Sequence, residues 1–391
     1  MKNHCFTALS SALKWFCLIL PMGLILSNAN AGGKDGFTGS IKGGSNPDLR
    51  EGFMGTPPVI SSVTVYNNFC GNGGSITVSF NGGVAPYDIT WTGGGSATGI
   101  SSPYTITGLA AGSYVATITD ANGATASTAS QTISSYSVEN QTSGAGFNDI
   151  QTAINAASSG DVIVICSGTF SSALTVNKKL DIRGQGTSTI LQNPGGTVIT
   201  YTSAGSGSAS GNRAYLRNLK ISGSTKGIYV DQLLNHLTLE GVSIDGNSSY
   251  GIHLNNISGV MNDWILSNCT FNANSDGFRM GMAANLNGLS ITGSTFSNQV
   301  NAGVYIPQQS ASPGGCSNVT ISGNTFTANG SNSNNLAALY IEKLNSATIS
   351  GNTFTNNGLN VNPRAISINL KYGNYNGVAV SYTHLTLPTK A

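Results

Sequence analysis

The chain has 391 residues, of which only 8% are charged, with a formal net charge of +2 and 51 glycines. A near-neutral chain without a basic stripe gives no electrostatic ground for nucleic acid or an anionic membrane as a partner. Abundant Gly, Ser, Thr and Asn is the composition of short strands and tight turns rather than of helices, and the length allows two or three domains.

Residues 1–31 read as a secretory signal. Lys2 and Lys14 lead into the apolar run 15–26, and Ala29-Asn-Ala31 supplies the small residues of a cleavage site. That run, about 12 residues, is short of the roughly 20 needed to span a bilayer, so no membrane insertion is expected after cleavage. Removing the segment takes away Lys2 and Lys14 and no acid, which brings the formal charge to zero. Cys70, Cys166, Cys269 and Cys316 remain, scattered and without C-x-x-C spacing. No zinc site is expected, and the sequence does not say which pair, if any, is bridged. Residues 32–58, poor in apolar side chains and rich in Gly, Ser and Pro, read as a flexible leader.

From Val59 the pattern becomes one of short alternating strands. Ser75-Ile-Thr-Val-Ser-Phe80, Tyr87-Asp-Ile-Thr-Trp91, Tyr104-Thr-Ile-Thr107 and Ser113-Tyr-Val-Ala-Thr-Ile-Thr119 are separated by Asn81-Gly-Gly83, Gly93-Gly-Gly95 and Asp120-Ala-Asn-Gly123. Residues 59–135 are therefore expected to form a small Ig-like β-sandwich. Gly82-Gly-Val-Ala-Pro-Tyr-Asp-Ile-Thr-Trp91 followed by Gly108-Leu-Ala-Ala-Gly-Ser-Tyr-Val-Ala-Thr-Ile-Thr-Asp-Ala-Asn-Gly123 resembles the repeat of large bacterial gliding and surface adhesins. That family often has a Cys directly after the Asp-Ala-Asn-Gly turn, where this chain has Ala124. The resemblance implies a secreted, bacterial cell-surface protein and implies no chemistry.

Asn148-Asp-Ile-Gln-Thr-Ala-Ile-Asn-Ala-Ala157 predicts a short helix, capped by Asn148 or Asp149, with Ile150, Ala153, Ile154 and Ala157 on one face. Placed before a stack of strands, it suits a lid over the first coil. Beyond it one phrase recurs: Leu239-Glu-Gly-Val-Ser-Ile244, Leu266-Ser-Asn-Cys-Thr-Phe271, Ile291-Thr-Gly-Ser-Thr-Phe296, Ile321-Ser-Gly-Asn-Thr-Phe326 and Ile349-Ser-Gly-Asn-Thr-Phe354. The last residues are spaced by 27, 25, 30 and 28 (244→271→296→326→354), the period of a solenoid. Apolar and polar residues alternate on both sides of each turn, so the coils are made of strands. The fold class is all-β, a right-handed parallel β-helix over residues 147–381. Residues 147–381 resemble the pectate-lyase-like family of right-handed β-helix proteins, a resemblance that specifies fold better than activity. Phe271, Phe296, Phe326 and Phe354 are expected to stack inside, Cys269 to be a small core residue beside Val242, Ser294, Asn324 and Asn352, and Asn324 and Asn352 to form an amide ladder. Tyr382-Thr-His-Leu-Thr-Leu-Pro-Thr-Lys-Ala391 departs from the repeat, so residues 382–391 read as a foreign or truncated tail.

A second strand repeats in every coil: Gly227-Ile-Tyr-Val230, Gly251-Ile-His-Leu254, Gly277-Phe-Arg-Met280, Gly303-Val-Tyr-Ile306, Ala338-Leu-Tyr-Ile341 and Ala365-Ile-Ser-Ile368. The third residue of each points out, so Tyr229, His253, Arg279, Tyr305, Tyr340 and Ser367 should lie about 4.8 Å apart in one track. Asp231, Asn255, Glu342 and Asn369 are expected at neighbouring outward positions, and Asp276 opens the third strand. Flat tyrosine rings suit sugar units and Arg279 suits a uronate carboxylate, so Tyr229, His253, Arg279, Tyr305, Tyr340 and Glu342 are candidate polysaccharide-binding residues. The alternative is a polysaccharide lyase in which Arg279 neutralises the acid and His253 or Tyr305 removes the neighbouring proton. A third reading is a structural spacer, since Tyr is a good strand former. The carboxylates are too dispersed for a glycosidase pair, and no Asp-rich loop suggests calcium or another cofactor.

Overall fold

A computed structural model describes residues 56–307, 316–331, 337–358, 365–368, 370 and 377–386. The expected signal, residues 32–55 of the expected leader, Asn369 and residues 387–391 lie outside the described residues. Strands Val59–Tyr66, Gly74–Asn81 and Tyr104–Leu109 form one antiparallel sheet. Gly95–Ile100, Tyr87–Trp91, Ala116–Thr119 and Thr125–Ser127 form another. Alternation along Gly74–Asn81 sends Ile76, Val78 and Phe80 to one face, where they share a core with Ile89, Ile106 and Ile118. The Asp120-Ala-Asn-Gly turn is organised by the Asp120 carboxylate, which accepts from the backbone N–H groups of Val84, Asn122 and Ala124 at 3.0, 3.0 and 2.8 Å.

The passage into the solenoid is folded rather than loose. Ser135–Tyr136 pairs in parallel with Asn68–Phe69, and Cys70 is joined to Cys166 across 96 residues. Cys269 and Cys316 are free and buried. Val138–Asn140 then lies antiparallel to both Ala145–Phe147 and Val162–Ile165, covering the edge of the first coil. Helix α1, Ile150–Ala156, packs Ile150, Ala153 and Ile154 inward. Asp149 is its N-cap, accepting from Thr152 N at 2.7 Å. Its last carbonyls are met by Lys178, whose Nζ donates to Ile154, Asn155 and Ala157 at 3.1, 2.5 and 2.7 Å. The lid is thus the helix together with the hairpin 138–147.

The coils stack in register as parallel strands around one continuous core. One wall of eight parallel strands runs from Leu174–Val176 to Ile366–Ile368. The other two walls merge into a single sheet that begins at Val138–Asn140 and ends at Val378–Thr386. Phe271, Phe296, Phe326 and Phe354 stack face to face with centroids 4.6, 5.0 and 4.7 Å apart. Burying each such ring stabilises the coil by about 1.5–3 kcal/mol, and a slipped register would expose the whole column.

The glycines of the eight-stranded wall are enforced by contact. A Cβ on Gly227, Gly251 or Gly277 would lie 2.6, 2.5 or 2.5 Å from the carbonyl oxygen of Gly251, Gly277 or Gly303 in the next coil.

Buried amides hold the turns. Cys269, Ser294, Asn324 and Asn352 form one inner column, in which Asn324 donates to Asn352 at 2.9 Å. A second column, Asn247, Asn274, Gln299, Asn329 and Asn357, was not anticipated. In it the backbone N–H of Asn247, Asn274, Gln299 and Asn329 each donates to the side-chain oxygen of the next member, at 2.9–3.1 Å. Both ladders satisfy groups that would otherwise be costly to bury. Val378–Thr386 continues to pair with Asn345–Thr355 past Ser381, with irregularities opposite 349–353. The backbone of Tyr382–Thr386 thus keeps to the sheet, although the sequence there leaves the repeat.

Candidate functional site: a stacked cationic and aromatic track

The eight-stranded wall brings Tyr229, His253, Arg279, Tyr305, Tyr340 and Ser367 into one register line. Thr175 and Thr200 extend it toward the first coil. The flanking residues in each strand, such as Ile228 and Val230 or Phe278 and Met280, are buried, which turns the middle residue outward. A second column lies three residues earlier: Lys226, Tyr250 and Asp276 pair in line. The phrase x-Gly-apolar-y carries its signal at x, where the sequence marks Asp276 but not Lys226 or Tyr250.

The two columns interdigitate into one stack. Lys226 Nζ lies 4.2 Å from the centre of the Tyr229 ring, and Tyr229 and His253 are 5.5 Å apart. Tyr250 is 4.4 Å from His253. The Arg279 guanidinium lies between Tyr250 at 5.1 Å and Tyr305 at 4.5 Å, and Tyr305 stacks on Tyr340 at 5.1 Å with planes 20° apart. Tyr305 and Tyr340 therefore face one another, Tyr229 and Tyr250 meet His253 at tilts of 47° and 44°, and neighbours occupy part of the flat surfaces expected to receive sugar units. Tyr229, Tyr250, His253, Arg279, Tyr305 and Tyr340 are all half-buried in this arrangement.

Polar partners fix the stack. Asn255 donates to the Tyr229 hydroxyl at 2.8 Å, and the Tyr340 hydroxyl donates to Glu342 at 2.7 Å. Glu342, expected at an outward position, keeps its carboxylate on the hydroxyl of the outward Tyr340, but the side chain is covered and only 8% exposed. Lys343 lies beside it, its Nζ donating to the carbonyls of Met282 and Ala284. Asp276, fully buried, accepts from Arg279 at 2.8 Å and from Ala302 N at 3.2 Å. Burial raises its pKa despite the guanidinium.

Electrostatics single out His253. Burial, with Lys226 and Arg279 on either side, lowers its pKa to about 4, so the imidazole is neutral at neutral pH. Its Nδ1 is buried without a hydrogen-bond partner among the described residues. Burial and the Asp231 charge raise the pKa of Tyr229. At neutral pH the track offers two cations, one neutral imidazole and four phenols, and its carboxylates are buried and hydrogen-bonded (Asp276, Glu342) or set at the rim (Asp231). Chemically it can donate hydrogen bonds and neutralise an acid.

On another wall His236 and Asp263 meet at 2.9 Å, with Asp263 also held by Arg213. The Arg213 guanidinium is spent on Thr238, Leu237 and Asp263, which makes this a pin between coils.

Among the described residues no helix is long and apolar enough to cross a membrane. The sequence matches no curated protein significantly. A pectate lyase, Pel9A, superposes over 60% of this chain and 76% of its own, with 13% identity and a TM-score of 0.34. The family model described as "Right handed beta helix region" matches residues 152–313. Together with the register of the coils, that match identifies the solenoid as a right-handed parallel β-helix.

Proposed function

We propose that the chain is a secreted bacterial cell-surface protein that recognises an acidic extracellular or host polysaccharide along the stacked track. One observation carries this: Lys226 and Arg279 flank a neutral His253 on one outer wall, in line with the phenols of Tyr229, Tyr305 and Tyr340. Acid groups on the ligand would pair with the cations, and its hydroxyls with the phenolic edges. The Cys70–Cys166 bridge supports an oxidising compartment outside the cytoplasm. The antiparallel module, read as an Ig-like adhesin repeat, would present the solenoid from the surface.

Polysaccharide lyase activity through His253, Arg279 and Tyr305 is the second reading, favoured by the unpartnered imidazole beside a guanidinium. Against it, an imidazole that takes up a proton only near pH 4 is a weak base for abstraction at neutral pH. A spacer role is favoured by the self-satisfied stacking of the rings.

Incubation with polygalacturonate and with alginate separates the three. Binding without an unsaturated product, lost in Arg279→Gln and weakened in Tyr305→Ala, supports recognition. Unsaturated product that disappears in His253→Gln establishes the lyase. Neither binding nor product leaves the spacer.

A further inference from the structure

A cleft of about 320 Å³ opens where the antiparallel module meets the first coils. Its walls come from three distant parts of the chain: Gly71, the connecting segment Ser135 to Ser137, and Asn148, Ser167 and Gln185 of the solenoid entrance. The Cys70–Cys166 bridge forms part of the wall, and the pairing of Ser135–Tyr136 with Asn68–Phe69 ties the same walls together. Its shape is therefore set before any ligand arrives.

The lining contains no Asp, Glu, Lys, Arg or His. An ion entering would lose hydration with no charge to meet it, so the cleft selects against charged ligands. Its polar groups are oriented. Asn148 Oδ1 accepts from Ser137 N at 3.2 Å, and Gln185 Oε1 accepts from Ser167 N at 3.2 Å and Ser167 Oγ at 2.9 Å. Each amide has its oxygen engaged, and neither NH₂ donates to another group among the described residues. Ser135 and Tyr136, which also line the cleft, carry hydroxyls that can both donate and accept.

We infer that this junction cleft binds a small, uncharged, polyhydroxylated ligand, a neutral sugar residue at a chain end. Fixed amide donors meet its hydroxyl oxygens, and the volume, at the lower end of ligand sites, admits one or two pyranose rings. The site is independent of the acidic-polysaccharide track in position and in ligand charge, so either can fail alone.

The test is titration of the full chain with free glucose, galactose, mannose and N-acetylglucosamine, followed by saturation-transfer NMR and calorimetry. At least one sugar should bind. Gln185→Ala, at an exposed position, should weaken it by about tenfold for one lost hydrogen bond, and Ser135→Trp, which fills the cleft, should abolish it. Arg279→Gln should leave it unchanged. Absence of binding to all four sugars overturns the inference, as does binding that persists undiminished in a folded Gln185→Ala protein.

Discussion

Two outer walls of the solenoid are equally regular in backbone register yet differ in kind. On one, Thr270, Thr295, Thr325 and Thr353 follow Lys220 and Ser243 in the same line, one residue type over four successive coils. On the other, the line reads Tyr229, His253, Arg279, Tyr305, Tyr340. Uniform columns recur inside, in the phenylalanine stack and the amide ladders, and each has a packing reason. Coil stacking explains why a residue repeats. It does not explain why chemistry changes from coil to coil at a position that Thr175, Thr200 and Ser367 show can be filled simply. That departure from the repeat supports the proposed site.

The contrast can be broken most forcefully inside. Phe296→Ala removes the middle of the aromatic column and should destabilise the solenoid by about 3–5 kcal/mol in chemical denaturation. Asn329→Leu leaves Gln299 N without its acceptor and should cost about 1–3 kcal/mol in the same measurement. If either were neutral, uniform columns would lose their packing explanation.

On the track the expected effect on stability is smaller and depends on pH. The His253 pKa of about 4 lies below the ordinary 6.5, so between those values the unfolded chain binds more protons than the folded one. Stability should fall as the pH drops from 6.5 toward 4, and the fall should be shallower in His253→Gln. Asp276, whose pKa burial raises, acts in the opposite direction in both proteins and cancels in the difference. Equal slopes in thermal melts across that window would show that the imidazole is not held neutral.

Much of this was legible in the sequence, for definite reasons. The period and the alternation of Asn324-Thr-Phe326 and its equivalents fix which side chains point in, because a strand offers only two faces. Helix α1 and a cap at Asn148 or Asp149 follow from local chemistry, and the structure selects Asp149. What stayed hidden depends on contacts distant in sequence or on side-chain direction. The Cys70–Cys166 bridge needs the module docked on the first coil. Lys178 closes a helix that ends some twenty residues before it. Lys226 and Tyr250 enter the track only once adjacent strands interleave, and the tilt that makes Tyr305 face Tyr340 instead of solvent is set by side-chain rotation. Alternation gives Glu342 the same side as Tyr340, to which it is bonded, but does not reveal that the carboxylate is covered there.

The most direct test of the contrast between walls is the affinity for polygalacturonate of two proteins, Arg279→Gln on the track and the triple variant Thr295→Val, Thr325→Val, Thr353→Val on the uniform wall. The track variant should lose about tenfold or more in affinity for a charge-assisted contact, and the triple variant should bind as the unaltered chain does. An Arg279→Gln protein that binds normally, or a triple variant that loses as much, would contradict the assignment of recognition to the track.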